Sequence, residues 1–249
     1  MKRTLEELEK DGLSEEATCN LLNVLEELLE SLDNARDFQN LNGYQKIIDL
    51  LNRSPSNEVK QTCCSLLGTA AQNQPVVQKV LVDSKVIPQL MEFVSTTTDM
   101  KLKAKALRSV SSIITGYEDA EKVFLFNNGL NLIKSIIESD DNSSSVKQRA
   151  LYLLLNLCYR QVMFLRKFLS KELITLLAQN YLVSDDIDLK ETSLRIVDFV
   201  LSLDRRSFEI ADVREVLKTA LPSLNSYCSL PDTPEEIKNL VKHIETIVA

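Results

Sequence analysis

The chain of 249 residues carries a formal net charge of −7, with 44% apolar and 26% charged residues, five glycines, six prolines and no tryptophan. That balance describes a globular chain with enough Leu, Ile and Val for a long core. It offers too few turn residues for a many-stranded sheet, and its acidity argues against generic nucleic-acid binding. No run approaches the roughly eighteen or more apolar residues of a membrane span; the most apolar stretch, Leu151 to Cys158, is bounded by Arg149 and Arg160.

In chain order, the segment from Met1 to Glu16 is charged and has no apolar signal core, so a cytoplasmic location is expected. Residues 1–14 read as a flexible lead. Leu21, Leu25, Leu28 and Leu32 then form a helical stripe, with Glu26, Glu27 and Glu30 turned outward. Asn42-Gly43 follows between two leucine-rich runs. Such a pair suits a tight hairpin, but Ile47, Ile48, Leu50 and Leu51 fall in pairs as on one helix face. Asn42-Gly43 recurs as Asn128-Gly129, 86 residues later and twice 43; Lys85-Val86 stands halfway, and Glu172 opens a fourth match. The glycines are therefore expected at helix-to-helix corners, supplying positive φ.

A second ladder has the same period: Val59, Leu102, Val146 and Leu189 are spaced 43, 44 and 43 apart. Offsets 4, 5, 8, 11 and 12 from each are apolar or small, from Cys63, Cys64, Leu67, Ala70 and Ala71 to Ser193, Leu194, Val197, Val200 and Leu201. They trace one stripe of a 3.6-residue helix. A shorter helix precedes each joint, with Phe38, Leu81, Phe124 and Phe168 in corresponding places. Three helices per unit of about 43 residues predict an all-α armadillo-repeat superhelix. Four repeats are expected at about 34–73, 74–116, 117–160 and 161–203 within a single domain over 15–249, with helical caps. The C-terminal cap covers 204–249, where Thr233 reads as N-cap, Pro234 as N1 and Glu236 as N3 of a capping box.

Little supports catalysis. His243 has no cysteine or paired carboxylate at helical spacing, and neither a phosphate-binding glycine loop nor a Cys-x-x-Cys pair occurs. No enzyme activity, cofactor or metal is expected. The five cysteines (Cys19, Cys63, Cys64, Cys158, Cys228) read as reduced thiols, three of them on core offsets.

The opposite face of each third helix is more informative, since third helices line the concave side of such arrays. Offset 3 reads Thr62, Lys105, Arg149, Thr192; offset 6 reads Ser65, Arg108, Tyr152, Arg195; offset 10 reads Thr69, Ser112, Asn156, Phe199. The windows 100–116 and 145–160 hold seven Lys or Arg and no acid, and Tyr159 adds an aromatic. Basic groups beside aromatics suit protein binding better than a nucleic-acid groove. The candidate partner-binding residues are Lys105, Arg108, Ser112, Arg149, Tyr152, Asn156, Arg195 and Phe199, expected on one continuous surface.

Three stretches bear a resemblance. Leu32-Asp33-Asn34-Ala35 with Asp37-Phe38, then Leu67-Gly68-Thr69 with Gln72-Asn73 and Pro75, then Leu102 to Ser112 resemble, in order, the armadillo-type nucleotide exchange factors of the seventy-kilodalton heat-shock chaperone. The resemblance spans roughly Glu16 to Ala249 and is strongest up to Asn128. It implies a monomeric cytosolic co-chaperone whose concave face embraces one lobe of the chaperone's ATPase domain and loosens ADP, without contact to nucleic acid or membrane. The alternative is a generic armadillo scaffold for an acidic protein or extended peptide.

Overall fold

The computed structural model describes residues 1–10, 12–166, 168–203 and 210–249, so the start of the expected C-terminal cap, 204–209, lies outside the described residues. Among the described residues every regular element is a helix. They pack as two compact units, Met1–Leu132 and Ile133–Ala249, where the sequence reading has a single domain over 15–249.

The first unit contains α1 (Lys2–Leu8), α2 (Glu15–Leu29), α3 (Leu32–Asn40), α4 (Gly43–Arg53), α5 (Asn57–Ala71), α6 (Pro75–Asp83), α7 (Val86–Thr96), α8 (Met100–Ile114), α9 (Glu118–Phe126) and the opening of α10 (Gly129–Glu138). Its organising layer is the row α2, α5, α8, packed side by side, with α3, α6 and α9 in a second row. The stripe predicted for the third helices is buried throughout, Leu67 and Val110 completely. Within the expected flexible lead, Lys2–Leu8 forms α1. Leu5 and Leu8, one turn apart, are buried as α1 packs on α2, and Glu9 pairs with Lys46 at 2.8 Å. The buried stripe of α2 keeps Leu25 but has Leu22 and Leu29 in place of Leu21 and Leu28. Leu22, Leu25 and Leu29 are inside while Leu32 is exposed.

The joints differ from expectation in which residue does what. The left-handed positions belong to Asn42, Lys85 and Asn128, at φ of 54°, 58° and 67°. Gly43 and Gly129 follow them as the first residues of α4 and α10. Their glycine is required by space, not by φ: a Cβ on Gly43 would lie 2.6 Å from the ring of Phe38, and one on Gly129 would collide with Phe124. Both rings are fully buried, and Phe38 makes an edge contact with Tyr44 at 5.0 Å. The middle joint solves the same problem differently. Its first helix supplies Leu81 in place of Phe, and the smaller side chain leaves room for Val86.

The second unit contains the rest of α10, then α11 (Ser144–Arg160), α12 (Val162–Leu165), α13 (Lys171–Asn180), α14 (Ile187–Ser202), α15 (Ile210–Cys228) and α16 (Glu235–Val248). Leu154 and Val197 are fully buried, and α14 packs between α11 and α16. Here one joint departs from the pattern. Phe168, aligned with Phe38 and Phe124, is not buried; it lies in a turn, and Leu165 and Leu169 fill the interior. Five residues after Phe168 stands buried Leu173 where the other joints have Gly or Val. Leu173 takes a buried place at this joint, Phe168 does not, and α12 is a single turn. At the cap, Thr233 does not cap α16: its hydroxyl donates to the carbonyl of Tyr227 at 2.7 Å, and Pro234 occupies the N-cap position. Removing the hydroxyl from solvent requires a carbonyl partner, and the preceding turn supplies one.

Cys63, Cys64 and Cys158 are fully buried. Loss of solvation pushes the thiols of Cys64 and Cys158 up to about 12. Cys228 is only half-buried. A thiol reagent on the native protein is therefore expected to modify Cys228 first, with Cys64 and Cys158 protected until unfolding; rapid native labelling of either buried thiol contradicts the placement. Gly43→Val should cost about 1–3 kcal/mol by overpacking against Phe38. Phe38→Leu in the same chain, which recreates the Leu81–Val86 pair, should restore most of that loss in urea unfolding. Simple additivity of the two changes would disprove this competition for space.

Candidate partner-binding faces

In the first unit the face opposite the core stripe is organised by α2, in step with the 43-residue ladder. Thr62 reaches Cys19 Sγ at 3.7 Å, and Thr69 Oγ1 donates to Glu26 Oε1 at 2.7 Å, each pair 43 positions apart. Ser65 Oγ donates to the same carboxylate oxygen at 2.9 Å and accepts from Lys105 Nζ at 3.1 Å. Glu26, expected to point outward, thus anchors a chain of hydrogen bonds running from α2 through α5 to α8. A cation held at the end of such a chain loses little rotamer freedom when a partner arrives. Arg108 lies about one turn further along α8, half-buried, with no ion pair among the described residues.

The placement of α8 is itself tightly specified. Ser109 is fully buried, its hydroxyl donating to the carbonyl of Cys64 across the helix pair. A Cβ on Gly68 would come within 3.2 Å of Ser109 Cα. At the start of α8, Asp99 Oδ1 accepts from the backbone N–H groups of Lys101 at 2.9 Å and Leu102 at 3.0 Å, and Oδ2 accepts from Gln61 on α5 at 3.1 Å. At its end, buried Gln78 donates to the carbonyls of Ser112 at 3.0 Å and Thr115 at 2.9 Å, satisfying acceptors that a helix terminus leaves open. Ser112 therefore contributes to the closure of its own helix.

The second unit shows a different surface. On α11, Arg149 is exposed, Tyr152 and Tyr159 are 57% and 62% exposed, and Asn156 is half-buried. Tyr159 stands edge-on to Phe199 of α14 at 5.2 Å. Arg195 does not supply an open positive charge: its guanidinium pairs with Glu191 at 3.3 Å and Glu236 at 3.1 Å. Tyr227 donates to the other oxygen of Glu191 at 2.6 Å. His243, which has no partner at helical spacing, meets Asp198 at 2.6 Å from a separate helix. The predicted residues thus divide. Lys105, Arg108 and Ser112 share α8; Arg149, Tyr152 and Asn156 share α11, packed on the α14 that carries Arg195 and Phe199. Glu26 and Gln78 are polar positions that sequence reading missed, although Glu26 lies on the ladder at offset 10 when it is extended one period back.

The family described as the SIL1/FES1/HPBP1 C-terminal domain matches residues 34–167, which is 134 of the 249 residues. A curated relative, the Hsp70 nucleotide exchange factor FES1 of Saccharomyces cerevisiae, is 27% identical over 182 residues, covering 71% of this chain and 60% of its own length. The nucleotide exchange factor SIL1 of Mus musculus is 27% identical over 138 residues, covering 55% of this chain and 30% of its own. The chain thus spans less than two thirds of either relative. Among solved structures, a designed armadillo repeat protein superposes with a TM-score of 0.75 at 14% identity, covering 100% of this chain and 99% of the other. At that identity the likeness speaks for the fold alone, an armadillo-type α-solenoid.

Asp99 offers a pH test of how α8 is held. The N–H of Leu102, foremost, and that of Lys101 keep its carboxyl below the ordinary range. A lowered folded-state pKa contributes stability above the unfolded value, and that contribution fades as pH falls through the folded one. Asp99→Ala should therefore cost about 1 kcal/mol at neutral pH. The gap to wild type should narrow below about pH 4. A gap that stays constant down to pH 2 would exclude the ionised cap.

Proposed function

The chain belongs to the SIL1/FES1/HPBP1 C-terminal domain family, and we propose on that premise that it is a nucleotide exchange factor for the seventy-kilodalton heat-shock chaperone. The observation that carries this reading is where the family match falls. It runs over residues 34–167, from α3 to just past the end of α12, and so includes the helices that present Lys105, Arg108, Arg149 and Tyr152. The relatives matched are named for nucleotide exchange.

In this reading third-helix faces, Lys105 and Arg108 in the first unit and Arg149 and Tyr152 in the second, contact the chaperone's ATPase domain. Lys105, fixed by Ser65 and Glu26, and Arg108 meet acidic groups, while Tyr152 buries aromatic area at small entropic cost. The factor breaks no bond and contributes no catalytic group. Its binding energy favours an ATPase conformation that holds ADP poorly, and linkage makes factor and nucleotide mutual antagonists. A tenfold loss of ADP affinity needs about 1.4 kcal/mol of preference for that conformation. The factor acts as a monomer in the cytoplasm, a setting that suits its five free cysteines.

Release of a fluorescent ADP analogue from the chaperone, with and without this protein, tests the reading directly. Arg108→Glu together with Arg149→Glu should weaken complex formation and ADP release in parallel, by about 2 kcal/mol or more if each arginine meets an acid. Both lie off the buried stripe, so the melting temperature should hardly move. Full acceleration by the double variant at wild-type concentration would show that these faces do not engage the partner.

A further inference from the structure

The turn from α11 into α12 groups exposed aromatic and Met side chains, whereas the turns into α3 and α6 leave single apolar residues, Leu32 and Val76, exposed. In α3, α6 and α9 the first helix runs nine residues and buries Phe38, Leu81 or Phe124 at the joint. α12 is four residues long, and at its joint Leu173 is buried while Phe168 is not. Met163 and Phe164 are left 74% and 44% exposed, directly after Tyr159 at the end of α11. Arg160 and Arg166, both exposed, flank this group in the chain. The charge around it is one-sided: residues 142–171 contain six Lys or Arg and no Asp or Glu, in a chain of net charge −7. Single exposed apolar residues need no explanation, but aromatics and Met grouped with Arg have the composition of an interface centre.

We infer that Tyr159, Met163 and Phe164, framed by Arg160 and Arg166, extend the partner-binding face of the second unit beyond α11 as an apolar anchor. The occupant is a protein surface that presents an apolar side chain ringed by carboxylates. This rests on the exchange-factor reading and assigns that surface to the same chaperone. Charge complementarity selects an acidic surface, and the α11 face already carries Arg149 and Tyr152. Met and aromatic groups bury large area against a partner's apolar side chain. An anionic membrane would attract the same charges, but a four-residue helix is too short to lie as an amphipathic element in a bilayer interface. A protein partner is the occupant the geometry favours.

The test compares wild type with Met163→Glu/Phe164→Glu, and with Met163→Glu alone, in titrations of ADP release from the full-length chaperone. Circular dichroism and melting should be unchanged, since both side chains are exposed. The double variant should need at least tenfold more protein for half-maximal effect, with the rate at saturation preserved. The single variant should fall between the two. Should the double variant fail to fold, the single variant alone decides, by a shift of at least threefold. If wild type accelerates release and the variants titrate identically to it, the anchor is refuted while the exchange-factor reading stands. If wild type does not accelerate release, the premise fails and this assignment fails with it. Co-sedimentation supplies the remaining arm. Wild type pelleting with phosphatidylserine-containing vesicles, lost in the variant while chaperone titration is unchanged, would assign the surface to membrane and overturn the proposal.

Discussion

The side-by-side burial of the third helices is the constraint from which the rest of each unit follows. In the first unit α5 is enclosed between α2 and α8, and in the second α14 between α11 and α16. A helix so placed must be apolar or small toward two neighbours and toward the second helix of its own repeat. That leaves only a narrow face for anything else. Cys63, Cys64, Ala70 and Ala71 are small because the space is shared, and Gly68 is glycine because Ser109 stands against it. The polar positions that remain are too few to be scattered, so partner recognition is concentrated on them.

That residual face is not a simple solvated surface. Side chains on neighbouring helices satisfy one another before any partner arrives, as in the path from Thr69 and Ser65 through Glu26, and on to Lys105. The cost of ordering Lys105 is met in folding and is not met again in binding. Arg195 illustrates the opposite outcome. The same ladder offset as Arg108 carries a guanidinium already shared by Glu191 and Glu236, so its charge holds α14 to α16 and is not open to steer a partner. Equivalent positions in a repeat are equivalent in backbone only.

The joints show how a repeat tolerates variation without losing its register. Phe38 with Gly43 and Phe124 with Gly129 set a large buried ring against a residue with no side chain, whereas Leu81 with Val86 sets two middle-sized side chains together. Where the pair is Phe168 and Leu173, the leucine is buried and the ring is not, and the first helix is the single turn α12. The joint that departs from the pattern thus lies beside the exposed Met163 and Phe164.

Spacing along one chain is enough to give the helical class, the 43-residue period and the buried stripe of every third helix. It also placed Lys105, Arg108, Arg149 and Tyr152 off that stripe. Tertiary structure alone decided what lies against each of them. Glu26 turns inward because α2 sits one period before α5, Thr233 turns back to Tyr227, and His243 finds Asp198 across 45 residues. It decided too that Asn42 and Asn128 take the left-handed φ while the glycines make room for rings. Periodicity reports which side of a helix faces the core; it carries no record of the side chain that another helix brings to meet it, and those meetings set charge, volume and exposure.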